Sequence, residues 1–216
     1  MESNNQKEEV KAKKERYFKK FTVGELVILA VLGIVFGIGG TPMVFVGRFF
    51  MTALGSIGWV GFAAIVGWFY LAGVLGVYIT RKPGAGIIAE VISGVAQILS
   101  GNPNGAIVLV TTFLQGLMAD AAFAINGYKK WTMPWVCLSG AMSAFLGYWV
   151  DAYFFGITEA SIALILGAVV VRMISGALFG ILGVVIFRPV AKTGVLRGTA
   201  LDQEVRGSKA AATRSK

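Results

Sequence analysis

Four polar side chains lie inside two long apolar runs in the middle of the chain, and they are the first candidates for a binding site. Glu90 and Gln97 belong to the first run, and Gln115 and Asp120 to the second. Charged and amide groups are costly in hydrocarbon, so they usually face a bundle interior or a cavity. A Gly-Asn-Pro-Asn-Gly turn joins the runs and basic doublets bound them, which indicates a membrane hairpin carrying part of a binding site.

The spacing within each run predicts which of these groups lie together. Glu90 and Gln97 are seven positions apart, nearly two helical turns, and they share a face with Gly94, which leaves space between them. Gln115 and Asp120 are five positions apart and point in different directions. We therefore expect the Glu90–Gln97 face to border a cavity.

Further residues are candidates for the same cavity. Asp151 follows Tyr148 by about one turn near the outer end of a later apolar run. A carboxylate there either attracts a cation or holds a helix contact, and the sequence leaves both open. Trp68 and Tyr148 could stack on a flat ligand or a cation through their ring faces. Asn102, in the Gly-Asn-Pro-Asn-Gly turn, is either a turn residue or the cap of the cavity.

Arg172 is a basic residue predicted to lie near the middle of the last apolar run. A buried charge needs a partner, because an unpaired one is strongly destabilising. We predict that Arg172 pairs with Glu90 or Asp120. In this interpretation Arg172 and Asp120 form a packing ion pair, and Glu90 with Gln97 forms the binding face.

The composition is that of a polytopic membrane protein. Of the 216 residues, 56% are hydrophobic and 29 are glycine, which favours close helix packing in lipid. The net charge of +9 does not indicate a nucleic-acid partner, since the basic residues flank apolar runs or lie in two tails. The chain has no histidine and one cysteine, Cys137. We therefore expect no metal site, no cofactor and no enzymatic nucleophile–base pair.

The apolar runs predict an all-α membrane domain over residues 21–190, between a charged segment at 1–20 and a basic tail at 191–216. Residues 42–57 are expected to form an external connection that dips toward the bundle, and Arg188-Pro189 is expected to end the last span. The six predicted transmembrane helices are 26–47, 59–80, 84–101, 106–128, 133–155 and 160–187.

The distribution of basic residues predicts the orientation in the plasma membrane. Of the 20 Lys and Arg residues, 7, 2, 2 and 7 fall in residues 1–20, 81–82, 129–130 and 188–216. Cytoplasmic loops carry such an excess, so both termini are predicted to be cytoplasmic. The sequence lacks GxxxxGK[ST], so any ATP hydrolysis would be supplied by a partner.

Gly33 and Gly37 form a small-xxx-small pattern in the first span. Such a face admits close approach of another helix. The other helix belongs either to the same bundle or to a partner subunit, and the sequence favours the same bundle.

Four motifs in order resemble the YkoE family, the thiamine and hydroxymethylpyrimidine S components of energy-coupling factor (ECF) transporters. They are RKPGAGIIAE, the Gly-Asn-Pro-Asn-Gly turn, LQGLMAD, and KTGVLRGTAL at residues 192–201, and the resemblance extends over residues 21–204. It implies a six-helix bundle with an outward-facing pocket for one vitamin molecule. It also implies two kinds of partner: a transmembrane coupling protein and two ABC ATPase subunits.

The resemblance also implies roles for particular residues. Ala30, Gly33 and Gly37 occupy the kind of position at which related S components contact the coupling protein. Where the family is expected to carry an acidic residue in the third helix, this chain has Gln97, while Glu90 is retained. The ligand, thiamine or its pyrimidine half, therefore stays open.

The predicted function is binding of a thiamine-like molecule for ATP-driven uptake. The alternative is a stand-alone ion-coupled permease whose buried acids are proton or sodium sites, although two inverted repeats with broken helices are not evident. An intramembrane enzyme and a pure scaffold fit less well, since the first lacks a nucleophile with a base and the second leaves the buried acids unexplained. The expected ligand-binding residues are Trp68, Glu90, Gln97, Asn102, Gln115, Tyr148 and Asp151.

Overall fold

The protein is a bundle of membrane-spanning helices, as the sequence predicts. The computed structural model describes residues 20–154 and 161–214, with side chains as far as residue 207. Two short 3₁₀ segments, Gly55–Ile57 and Val66–Tyr70, interrupt the helices. The α-helices are α1 Val23–Leu54, α2 Gly58–Ile65, α3 Leu71–Thr80, α4 Ala85–Leu99, α5 Ile107–Ile125, α6 Met133–Phe154, α7 Ile162–Thr193 and α8 Ala200–Arg214.

Helix α1 is longer than predicted. A capping box between Thr22 and Glu25 starts it, and it continues through Pro42 to Leu54. The expected external connection at residues 42–57 is therefore wrong for all but its last residues. A proline removes one backbone hydrogen bond, and membrane helices tolerate this because water does not compete for the remaining ones. The chain turns instead at Gly55, where φ is +59°.

The second pass consists of α2, the Val66–Tyr70 3₁₀ segment and α3. The predicted span 59–80 has the right extent but contains this tightened stretch, which changes the backbone hydrogen bonding. Ser175 of α7 compensates for it: Gly67 N donates to Ser175 Oγ at 3.0 Å, and Ser175 Oγ donates to Ala64 O at 2.7 Å. The 3₁₀ segment is thereby fixed against α7.

Glycines set the spacing of neighbouring helices. A Cβ added at Gly116 of α5 would lie 2.7 Å from Gly86 O of α4. One added at Gly140 of α6 would lie 2.6 Å from the carbonyl carbon of Gly176 in α7. Real Cβ atoms do not approach this closely, so these pairs require glycine.

Gly33 and Gly37 pack inside the bundle, against α4. An added Cβ would lie 2.7 Å from Ala89 O at Gly33 and 2.5 Å from Ser93 O at Gly37. Of the two alternatives for this small-xxx-small face, the structure shows the internal one. Ala30 is half-buried beside it, and contact of all three with a partner remains a prediction.

Helix α7 also passes the proline expected to end it. It continues beyond Pro189 to Thr193 and ends at Gly194, which has a φ of +91°. The predicted stop at Arg188-Pro189 is wrong, because a proline near the end of a helix removes only one backbone hydrogen bond. The chain then returns in α8, whose Leu201 is fully buried.

The two ends of the bundle differ in charge. The basic end contains Lys20, the doublets at 81–82 and 129–130, and α8. Glu204 of α8 pairs there with Arg81 and Arg188, while Lys82 Nζ donates to Glu25 Oε2 at 2.5 Å. The opposite end contains the Gly55–Ile57 turn and the 100–106 turn.

Within residues 20–154 and 161–214, four stretches are long and apolar enough to cross a membrane, and the first of them contains two passes. Helix α4 is a shorter apolar helix that completes the six passes. The four stretches are Val23–Thr80, Ile107–Ile125, Met133–Phe154 and Ile162–Thr193.

Candidate ligand-binding site

A cavity of about 430 Å³ lies near the end of the bundle opposite the basic end. Small-molecule sites commonly have volumes of roughly 300–1,000 Å³. Residues from all six passes and the 100–106 turn line it: Val44, Arg48, Met51, Thr52, Trp59, Phe62, Val66, Phe69, Gln97, Asn102, Asn104, Ile107, Val108, Thr111, Thr112, Gln115, Asp151 and Arg172.

Three aromatic rings of the second pass form one wall. Phe62 lies edge-on to Trp59 and to Phe69, with centroid separations of 6.5 and 6.3 Å. Glycines of α1 make room for two of them: an added Cβ at Gly47 would lie 2.6 Å from Phe62 Cε2 and closer to Cδ2, and one at Gly40 would lie 3.0 Å from Phe69 Cε1. This wall offers ring edges and faces to a flat ligand.

A chain of hydrogen bonds joins Gln97 to the mouth of the cavity. Asn102 Nδ2 donates to Gln97 Oε1 at 2.9 Å, and Asn104 N donates to Asn102 Oδ1 at 2.9 Å. Arg48 Nη2 donates to Asn104 Oδ1 at 3.1 Å. Because Gln97 Oε1 is occupied, the Gln97 amide presents its N–H donors to the cavity.

Gln115 stands on α5 among the cavity-lining residues. Within the described residues its Oε1 is buried and has no hydrogen-bond partner. Gly147 of α6 leaves space beside it, since an added Cβ there would lie 2.9 Å from Gln115 Nε2. A buried acceptor without a partner is costly, so it suggests a group that a ligand satisfies.

Arg172 is a site residue that the sequence analysis did not assign to the cavity. Its Nη2 pairs with Asp151 of α6, and its Nε donates to Tyr70 Oη at 2.6 Å. The predicted pairing with Glu90 or Asp120 is wrong. Asp151 lies on the neighbouring helix and supplies the charge that the guanidinium needs.

Glu90 is buried outside the set of cavity-lining residues. Its Oε1 accepts from Gly73 N at 2.7 Å, and this amide lies in the first turn of α3. Glu90 does share a face of α4 with Gln97, but seven residues span about 10 Å along a helix. Only Gln97 reaches the cavity.

Asp120 has the structural role predicted for it, but with a different partner. Its carboxylate accepts from Gly84 N and Ile87 N, both at 3.1 Å. These amides belong to the start of α4, whose exposed N–H groups favour a negative charge. Asp120 therefore joins α5 to the beginning of α4.

Trp68 and Tyr148 also have contacts outside the cavity lining. Trp68 Nε1 donates to Phe36 O at 3.0 Å, and its ring lies edge-on to Phe36. The Tyr148 ring is 5.9 Å from the Arg172 guanidinium. Ligand contact by Trp68, Tyr148 or Glu90 stays a prediction, whereas four of the seven predicted residues line the cavity: Gln97, Asn102, Gln115 and Asp151.

Sequence reasoning missed Arg48 because it placed this residue in the external connection expected at residues 42–57. Val44, Arg48 and Met51 follow the i, i+4, i+7 spacing of one helical face, which was the available signal. No signal in the sequence distinguishes Trp59 in a cavity wall from an aromatic residue at the membrane interface. The principal residues missed are Arg48, Trp59, Phe62, Phe69 and Arg172.

Comparison with known proteins identifies the class. Residues 24–146 match the family described as "ABC-type cobalt transport system, permease component". The chain is 34% identical over 189 residues to the "Putative HMP/thiamine permease protein YkoE" of Bacillus subtilis (strain 168), covering 87% of this chain and 94% of that protein. A crystal structure of "an S-component of ECF transporter" aligns with a TM-score of 0.87 and 32% identity, covering 91% of this chain and 99% of that one.

The helical bundle and these relatives define an S component of the ECF class, a multi-pass membrane protein of transport and not an enzyme. The chain belongs to the matched family of permease components and to the YkoE family. The resemblance stated from the sequence motifs is confirmed.

Proposed function

We propose that the protein binds thiamine or its hydroxymethylpyrimidine precursor in the 430 Å³ cavity and presents it for ATP-driven uptake. The named relative is a putative permease for these compounds. The likeness to an S component favours an ATP-driven assembly over a stand-alone ion-coupled permease.

This proposal rests on two glutamines, Gln97 and Gln115, that line the same cavity as an aromatic wall. An aminopyrimidine has an exocyclic amine that donates and ring nitrogens that accept hydrogen bonds. The Gln97 amide offers donors, and Gln115 offers an acceptor without a partner in the described residues. Because that oxygen is buried, the Gln115 amide must turn about its terminal bond to meet the amine. The flat ring would stack on the wall of Trp59, Phe62 and Phe69.

Titration of the purified protein with hydroxymethylpyrimidine tests the site. Gln115→Leu is expected to weaken binding about ten-fold, because it removes a hydrogen bond worth roughly 1–1.5 kcal/mol. Gln203→Leu is the matched control, since Gln203 is exposed on α8 at the basic end.

Glu90→Gln distinguishes the cavity from the site first predicted from the sequence. It keeps a side-chain oxygen for Gly73 N, so we expect less than about a two-fold change in affinity. A large loss in Glu90→Gln with none in Gln115→Leu would place the ligand at Glu90 and contradict the proposed site.

The donor atoms around the cavity suit an organic ligand better than cobalt. The chain has no histidine, and the Asp151 carboxylate is paired with Arg172. Imidazole and thiolate are the groups that bind such transition metals well, whereas this lining offers amides, hydroxyls and aromatic rings.

We further propose that a transmembrane coupling protein and two ABC ATPase subunits complete the transporter. The sequence itself contains no P-loop motif. Ala30 would lie at the edge of the contact, while Gly33 and Gly37, covered by α4, would act by setting the helix spacing. The outer face of α1 is exposed and apolar and is the surface available for the coupling protein: Val27, Val31, Ile34, Val35 and Ile38.

The proposed orientation places the basic end in the cytoplasm and the cavity mouth outside. In a Cys137→Ser background, Pro103→Cys in the 100–106 turn should react with an impermeant thiol reagent in whole cells. Lys129→Cys should react only after permeabilisation. Both positions are exposed in the fold, so the opposite labelling pattern would reverse the orientation.

A further inference from the structure

The charged side chains that line the cavity leave no carboxylate free for a cation. Within the described residues they are Arg48, Asp151 and Arg172. Asp151 is paired with Arg172, and that pair is neutral as a whole. Arg48, at the mouth, contacts the neutral amide of Asn104. The lining therefore carries one uncompensated positive charge.

We propose that the cavity selects an uncharged pyrimidine over a ligand with a permanent positive charge, and that Arg48 and the Asp151–Arg172 pair determine this specificity. The inference rests on the proposed function and specifies which of the two proposed ligands the cavity prefers. Applied to the two candidates, it favours hydroxymethylpyrimidine, which is neutral, over thiamine, which carries a thiazolium cation.

The reason is the loss of hydration without a compensating partner. A cation that leaves water for a buried site needs an opposite charge or several acceptors. Asp151 can serve it only by releasing Arg172, whose own charge is buried and held by Asp151 and Tyr70. The remaining acid on the Gln97 face, Glu90, lies about two turns away and accepts from Gly73 N.

Two features modify the size of the preference. The rings of Trp59, Phe62 and Phe69 attract a cation through their faces, which offsets part of the cost. Arg48 acts in the other direction, since it repels a cation at the mouth with a strength that falls as salt increases. Gln97 is neutral at a position where glutamate would supply a negative charge of nearly the same shape.

Binding of three ligands to the purified full-length protein tests the proposal. They are hydroxymethylpyrimidine, thiamine, and a thiamine analogue in which a neutral thiophene replaces the thiazolium ring. The analogue has the size of thiamine without its charge, and it should bind at least about ten-fold more tightly than thiamine. Thiamine binding equal to or tighter than the analogue would overturn the inference while leaving the proposed function intact. If none of the three binds, the proposed function fails and this inference fails with it.

Two substitutions should shift the preference toward thiamine. At pH 8, Gln97→Glu is expected to raise thiamine affinity about ten-fold relative to the neutral analogue. Arg48→Gln is expected to raise thiamine affinity about three- to five-fold, less at high salt. Lys129→Gln makes the same charge change at the basic end and should leave both affinities unchanged. If neither cavity substitution raises the affinity for thiamine relative to the neutral analogue, the inference is overturned. If Gln97→Glu does not fold, Arg48→Gln still tests the inference, because Arg48 is exposed and its replacement should not affect folding.

Discussion

Arg172→Leu is expected to lower the free energy of unfolding by about 3–5 kcal/mol and to abolish binding of hydroxymethylpyrimidine. The guanidinium is buried, with 4% of its side chain exposed, and it holds both Asp151 and Tyr70. Its loss would leave a carboxylate at the cavity without a counter-charge. Unfolding in detergent and ligand titration measure the two effects. Arg188→Leu is the control, because its pair with Glu204 lies at the surface and is worth about 1 kcal/mol or less, although Arg188 also donates to Tyr78 Oη at 3.1 Å.

The double variant Arg172→Leu, Asp151→Leu separates the cost of an unpaired acid from the value of the pair. Removing Asp151 as well eliminates the uncompensated charge, so the double variant should be more stable than Arg172→Leu alone. If the loss of stability in the double variant equals the sum of the losses in the two single variants, Asp151 and Arg172 do not act as a pair. Binding of hydroxymethylpyrimidine should remain absent in the double variant, because two leucines replace the charged pair in the cavity lining.

The number of passes follows from the sequence, but the helix ends near proline do not. Apolar runs of spanning length predict helices because lipid offers no partners for open backbone groups. The same argument explains why α1 continues through Pro42 and α7 through Pro189. One lost hydrogen bond does not end a helix when the neighbouring bonds have no water to compete for them. The sequence analysis placed Arg48 in the external connection expected at residues 42–57, and so outside both the first helix and the site.

Helical periodicity predicts a shared face but neither depth nor the neighbouring helix. Glu90 and Gln97 lie on one face of α4, yet the first meets Gly73 and the second lines the cavity. The partner of Arg172 depends on which helix lies beside α7, and that helix is α6 with Asp151. Asp120 is engaged by the first amides of α4. Which groups pair depends on how the helices pack against one another. The sequence alone does not determine that packing, so the acids predicted to pair with Arg172 were wrong.

Gly140→Leu is expected to prevent stable folding or to cost more than about 3 kcal/mol, the upper range for overpacking. Even a Cβ would lie 2.6 Å from the Gly176 carbonyl carbon and closer to its oxygen. Backbone atoms cannot rotate away as a side chain does, so α6 and α7 would have to separate. Their separation would also pull Asp151 away from Arg172, and ligand binding should fall together with stability.

Gly167→Leu is the matched control for this contact. Gly167 lies in the same helix as Gly176, and an added Cβ would meet no described atom within 4 Å. Leucine favours the helix over glycine by up to about 1 kcal/mol, so this variant should be as stable as the parent or slightly more stable. Thermal unfolding in detergent and titration with hydroxymethylpyrimidine distinguish the two glycines. If Gly140→Leu keeps both the parent's unfolding midpoint and its affinity, then α6 and α7 do not meet backbone to backbone, and the placement of the Asp151–Arg172 pair loses its support.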